Sequence, residues 1–179
     1  DRRTLLHVAA LGSLTVKNSL ELARLLIEHG ADVHRRSTPR PRRIHTRTAG
    51  FNPAGVIDIV QGGFTGMLFA ARNGNLKAAT LLVAGGADVN DTSLSGTSAL
   101  VVAAHSGHTA VATFLLAEGA DPNAAEAGYT ALHGATLRGD EVLAKALLAR
   151  GADPDAPVRN GSPGRRYSPD YVLEHDVVG

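Results

Sequence analysis

Several groups of side chains in this 179-residue chain have types and spacings that suggest chemistry. His105 and His108 stand i, i+3 around Gly107, but two imidazoles without a third ligand make a poor zinc site, and the chain has no Cys to complete one. His7 and His133 would suit general-base work, yet no Ser-His-Asp arrangement accompanies them. Asp32, Asp88, Asp121 and Asp153 each follow a Gly-Ala pair. Catalytic carboxylates must converge in a pair. Four that recur at one place in a repeated pattern suit turns, where a carboxylate accepts backbone N–H groups. Gly62-Gly63-Phe64-Thr65-Gly66 is glycine-rich but lacks the preceding strand and the lysine of a phosphate-binding loop. The expectation is a chain that is not an enzyme, with no metal and no cofactor.

The arginines point elsewhere. Arg35, Arg36, Arg40, Arg42, Arg43 and Arg47 lie between His34 and Thr48 with no acid among them, and because the whole chain carries only +1, the remainder sums to −5. Guanidinium groups read carboxylates and phosphates through paired hydrogen bonds. Contact with an acidic protein surface is the preferred reading. Nucleic acid or another anionic polymer is the alternative, disfavoured by the acidic surroundings and by the lack of interleaved aromatics apart from Phe51. A third reading has the arginines solvate a loop or pair with acids of their own scaffold, such as Glu21 and Glu28.

The elements that must position these residues follow from repetition. Gly30-Ala31-Asp32, Gly86-Ala87-Asp88, Gly119-Ala120-Asp121 and Gly151-Ala152-Asp153 recur at spacings of 56, 33 and 32 residues. A Leu-rich segment precedes each, and a shorter segment of small apolar residues precedes that one. The spacing predicts helix pairs near 5–12 and 20–28, 66–73 and 76–84, 99–106 and 109–117, and 131–138 and 141–149. Thr4, Thr65, Ser98 and Thr130 stand where a hydroxyl receives a free helix N–H. Gly30, Gly86, Gly119 and Gly151 end the second helices, where a left-handed residue costs little. Each helix is too short to persist alone, so stability must come from stacking.

A period of about 33 residues divided into two short helices and a turn resembles the ankyrin repeat family. The likeness rests on Thr4-Leu5-Leu6-His7-Val8-Ala9-Ala10, on Thr130-Ala131-Leu132-His133-Gly134-Ala135, and on the Gly-Ala-Asp turns followed by Val89-Asn90 or Pro122-Asn123. It implies an all-α solenoid of stacked helix-turn-helix repeats, here with a long basic insertion. It also implies that His7 and His133, each with its Thr partner, bind turns together, and that a partner protein would meet the concave side formed by turn tips and first helices. On that register the candidate contacts are Arg72, Leu94, Thr97, Val102, His105, Tyr129 and Arg138, together with the six insertion arginines. Phe64 and Phe69, next to the insertion, are expected to lie beneath its two halves.

The expected layout is one domain over 1–179, itself incomplete. Repeat one covers about 3–32, the insertion 33–62, repeat two about 63–88, repeat three about 96–121 and repeat four about 128–153. Residues 154–179 form an extended loop leading towards a further repeat. Pro39 and Pro41 forbid a helix in the first half of the insertion, and its six like charges favour an extended, exposed segment whose removal leaves the array stable. The second half, with Phe51, Val56, Ile57 and Ile59, is able to fold back on the array. Gly50-Phe51-Asn52-Pro53-Ala54-Gly55 and the enlarged turn also resemble ankyrin-repeat proteins of environmental bacteria, which would permit a cytoplasmic, periplasmic or exported location. No run approaches the ~18 apolar residues of a membrane span. With Met67 its only methionine, the chain reads as a piece of something longer and as a monomer.

Overall fold

The computed structural model describes Leu5 and residues 19–45, 56–61 and 63–158. Thr4, His7, Arg47, Phe51, most of the first expected helix and the segment after 158 lie outside the described residues. Among the described residues, these elements follow in order: α1 (Ser19–Glu28), β1 (Arg40–His45), β2 (Val56–Gln61), α2 (Gly66–Asn73), α3 (Leu76–Ala84), α4 (Ala99–Ser106), α5 (Thr109–Ala117), α6 (Ala131–Arg138) and α7 (Glu141–Ala149). The bounds from α2 to α7 coincide with those predicted by the repeat spacing.

The helices form three antiparallel pairs that stack side by side, with α1 packed on α3. The first helices of each pair (α2, α4, α6) approach one another more closely than the second helices (α3, α5, α7). Small residues allow this approach: Ala70, Ala71, Ala103, Ala104 and Ala135 are all fully buried between layers. At Gly134 even a methyl group would lie 3.1 Å from the backbone nitrogen of His105. Leu82, Leu115, Leu143 and Leu147 fill the space toward the second helices and are the largest buried side chains there.

Each first helix starts on a hydroxyl. Thr65, Ser98 and Thr130 accept from the backbone N–H of Leu68, Val101 and His133. Each ends on a left-handed glycine, Gly74, Gly107 or Gly139, whose N–H returns to the last turn. The first expected helix apart, the basic insertion departs most from expectation. Its halves are not a loose arm and a separate flap. β1 and β2 pair with each other, antiparallel, in a register running from Arg40↔Gln61 to His45↔Val56. Neither strand makes more than marginal contact with a described helix. The β-branched run Val56-Ile57-Asp58-Ile59-Val60 pairs with the one segment of the insertion that proline keeps extended.

Candidate functional site

The turns that precede the first helices form a ladder of side-chain hydrogen bonds. Asp32, Asp88, Asp121 and Asp153 each accept, through Oδ1, the N–H two residues on, at His34, Asn90, Asn123 and Asp155 over 2.8–2.9 Å. Asn90 Oδ1 accepts from the Asp121 N–H and Asn123 Oδ1 from the Asp153 N–H, both at 2.8 Å, so the turns at Asp88, Asp121 and Asp153 are tied in series. These carboxylates point at their own backbones and not at one another. Gly30, Gly86, Gly119 and Gly151 all hold φ between 83° and 95° just before them.

The foot of the hairpin is fixed to the array. Arg36 donates to the Asp91 carboxylate at 2.6 Å and, through its other nitrogen, to the carbonyls of Gly63 at 2.9 Å and Thr92. Ser37 N–H donates to the Phe64 carbonyl at 2.9 Å, and the N–H of Phe64 returns to the Ser37 hydroxyl at 3.1 Å. One arginine of the basic run is therefore a bolt between two neighbouring turns. The scaffold acid it uses is Asp91. Glu21 and Glu28, the acids expected for this role, are paired with Arg24 on their own helix. Arg35 is exposed, and Arg40, Arg42 and Arg43 occupy β1 opposite Gln61, Ile59 and Asp58.

Phe64 and Phe69 are buried. Their rings are 5.5 Å apart, and the Arg72 guanidinium stacks at 5.6 Å from one and 5.2 Å from the other. Arg72 is half-buried at the end of α2. Arg138, at the end of α6, donates through Nε to the carbonyl of His105 at the end of α4. His105 is half-buried beside it.

Two expected contact residues are not available to a partner. Thr97 and Val102 each have 0% exposure. Thr97 is the closing residue of a tight turn, exchanging hydrogen bonds with Ser93, and Val102 sits on the face of α4 between two layers. The repeat register gives a position along the repeat but not its depth between layers. Tyr129 is also largely covered, at 7% exposure, its ring tilted against the His133 imidazole at 5.4 Å. Leu94 is 52% exposed at the turn tip, where one side of it lies over Gly63.

His133 serves its helix. Its Nδ1 accepts from the Thr130 N–H at 3.1 Å while its own N–H reaches the Thr130 hydroxyl, a reciprocal cap. His108 reaches back to Arg72, donating from Nε2 to that carbonyl at 2.9 Å. Among the described residues no group of three or more His, Asp or Glu is disposed to hold a metal, and no helix is long and apolar enough to cross a membrane.

Beyond α7 the far side of the last described pair is open. Tyr129, Leu132, His133, Leu137, Leu148 and Val158 line a groove of about 540 Å³ there. Leu137 is 61% exposed, whereas the matching residues of the earlier first helices, Arg72 and His105, are half-buried.

The comparisons agree with this architecture. A model described as "Ankyrin repeats (3 copies)" matches residues 67–157, and one described as "Ankyrin repeats (many copies)" matches residues 6–83. No curated protein matches the chain. The matched span covers the three stacked helix pairs and their Asp-anchored turns, and the chain belongs to the ankyrin-repeat family, whose fold generally acts as a non-catalytic protein-binding scaffold.

Proposed function

We propose that this chain, as a monomer, holds a partner protein against the concave side of the array and the enlarged turn that follows α1. The contact set is Arg35, Arg40, Arg42, Arg43 and Arg47 from the insertion, Leu94 at the next turn tip, and Arg72, His105 and Arg138 at the ends of the first helices. The observation that carries the reading is the Arg36 bolt. A loop that only solvates itself has no need of a guanidinium engaged by a carboxylate and a carbonyl of the neighbouring turn and by the Gly63 carbonyl. The anchoring holds a strongly basic hairpin at one end of the row of turns. An acidic partner surface is the complement of that hairpin, because its guanidinium groups pair with carboxylates.

On this reading the repeats span about 3–32, 63–88, 96–121 and 128–153, with the insertion at 33–62 and a loop over 154–179 leading towards a further repeat. A photo-crosslinking residue at Leu94 or Leu137 tests the face directly, against the same residue at Val142 on the outer helix α7, which is 68% exposed. Adducts from the first two positions and none from the third are expected. Adducts from Val142 alone would place the partner on the convex side and contradict the reading.

A further inference from the structure

The two edges of the β1–β2 hairpin are unequal. Exposed strand edges are templates for pairing, and proteins blunt them with proline and charge. β1 reads Arg-Pro-Arg-Arg-Ile-His, directly preceded by Pro39, and so carries both devices. A proline inside a ladder is accommodated where its nitrogen faces away from the paired strand, which puts the missing donor of Pro41 on the outer side of β1. β2 reads Val-Ile-Asp-Ile-Val-Gln, with no proline, no glycine and a single charge. Among the described residues, no third strand pairs with it.

We propose that the outer edge of β2 pairs with an extended, acidic segment of a partner protein, which adds as a third strand. This rests on the scaffold reading above and names the chemistry of its ligand. Backbone pairing would supply the affinity and charge the selection. The register places Arg40, Arg42 and Arg43 across from Gln61, Ile59 and Asp58, so the ladder has an excess of positive charge. Strands lie about 4.8 Å apart, which sets β1 about 10 Å from a strand added to β2. That is about one Debye length at physiological salt, so acidic side chains on the incoming strand are favoured and basic ones repelled. A second copy of this chain pairing through the same edge would bring the same positive excess, and is disfavoured for that reason. The anchored foot reduces the ordering that binding requires: Arg36 on Asp91 and Ser37 on Phe64 hold the hairpin in place before a partner arrives.

The test uses the whole chain and a random dodecapeptide display library. Enriched peptides should be acidic, free of proline, and alternate in β-branched residues. A synthetic enriched peptide should slow amide exchange over Val56–Gln61. It should lose at least ten-fold in affinity when N-methylated at alternate residues in one register, and little in the other. Val60→Pro removes an outward N–H of β2, because Val60 stands opposite Pro41; it should abolish binding while the helical melt of the array persists, and Arg40→Ser/Arg42→Ser/Arg43→Ser should weaken it and flatten its salt dependence. The proposal is overturned if no peptide is enriched, if enriched peptides show no acidic bias, if both N-methylated registers bind like the parent, or if exchange slows only on the helices. Concentration-dependent dimers abolished by Val60→Pro would assign the edge to a second copy and also overturn it. If peptides fail while a protein still crosslinks to Leu94, the edge proposal falls and the scaffold reading stands.

Discussion

His108 lies directly under Gly74: a Cβ on that glycine would stand 2.5 Å from the imidazole Nδ1, while Nε2 of the same ring donates to the carbonyl of Arg72. The acceptor is a carbonyl, so the bond fixes the tautomer with its proton on Nε2. One histidine thereby closes the C-terminus of α2 from the neighbouring pair, through a gap that only glycine leaves open.

Gly74→Ala should therefore destabilise the array by more than the cost of φ = 68° for a non-glycine residue, which is about 1–2 kcal/mol. His108→Ala should cost about 1 kcal/mol. Together they should cost less than their sum, since removing the ring relieves the clash. Denaturant midpoints of the four chains measure this. Strict additivity would mean that the imidazole does not occupy the place below Gly74.

Leu115 is fully buried on α5 between α4 and its own layer. Leu115→Ala should cost roughly 2–5 kcal/mol through the cavity it leaves. Urea unfolding would read this as a lower midpoint at unchanged slope. A loss below about 1 kcal/mol would show that the stacked layers do not meet there.

The hairpin and its foot should separate by deletion. Replacing 40–61 with a short Gly-Ser linker keeps Arg36, Ser37, Gly63 and Phe64, and thermal unfolding should stay cooperative with little change in midpoint. Deleting 35–47 removes the bolt and should lower it. This departs from the view of the basic run as a uniformly dispensable loop. Arg36→Ala and Asp91→Ala should show a coupling of about 1 kcal/mol in a double-mutant cycle, modest because the arginine is partly solvated.

Asp140 gives the array a pH signature. The Thr109 hydroxyl donates to its carboxylate, and the Leu143 N–H donates to the other oxygen, which together hold its pKa below the ordinary value. Folding then favours the ionised form. The stabilisation is complete above the usual aspartate pKa of about 4 and disappears as pH falls through the lowered value. Asp140→Asn should flatten the acid limb of the stability profile below about pH 4 relative to the parent chain. An unchanged acid limb would mean that the Thr109 bond does not select the charged form.

The helix pairs were legible because their determinants are local and repeated. Thr65 or Ser98 opens a helix, Gly74 or Gly107 ends it, and Gly86-Ala87-Asp88 sets the turn, all within one repeat of the chain. The hairpin was less legible because it depends on register between segments far apart in sequence. Pro39, Pro41 and the arginines read as an extended arm, and only the pairing of Ile44 with Ile57 makes that arm half of a sheet. The Arg36 bolt joins residues 55 apart, and nothing near Arg36 distinguishes it from the other five arginines. Thr97 and Val102 were assigned to the surface because the repeat register gives position along a first helix but not depth between layers. Arg72 reads from the sequence as a candidate contact residue, whereas its stacking on Phe64 and Phe69 depends on the fold.

The most direct test of partner binding compares proteins retained from source-cell extract, at moderate salt, by the intact chain and by chains carrying Arg40→Ser/Arg42→Ser/Arg43→Ser or Leu94→Asp. Both variants leave the Arg36 bolt and the buried layers untouched. A common set of acidic proteins held by the intact chain and depleted by both variants is the predicted result. Retention of the same proteins in equal amount by all three chains would contradict the concave side and its basic hairpin as the binding surface.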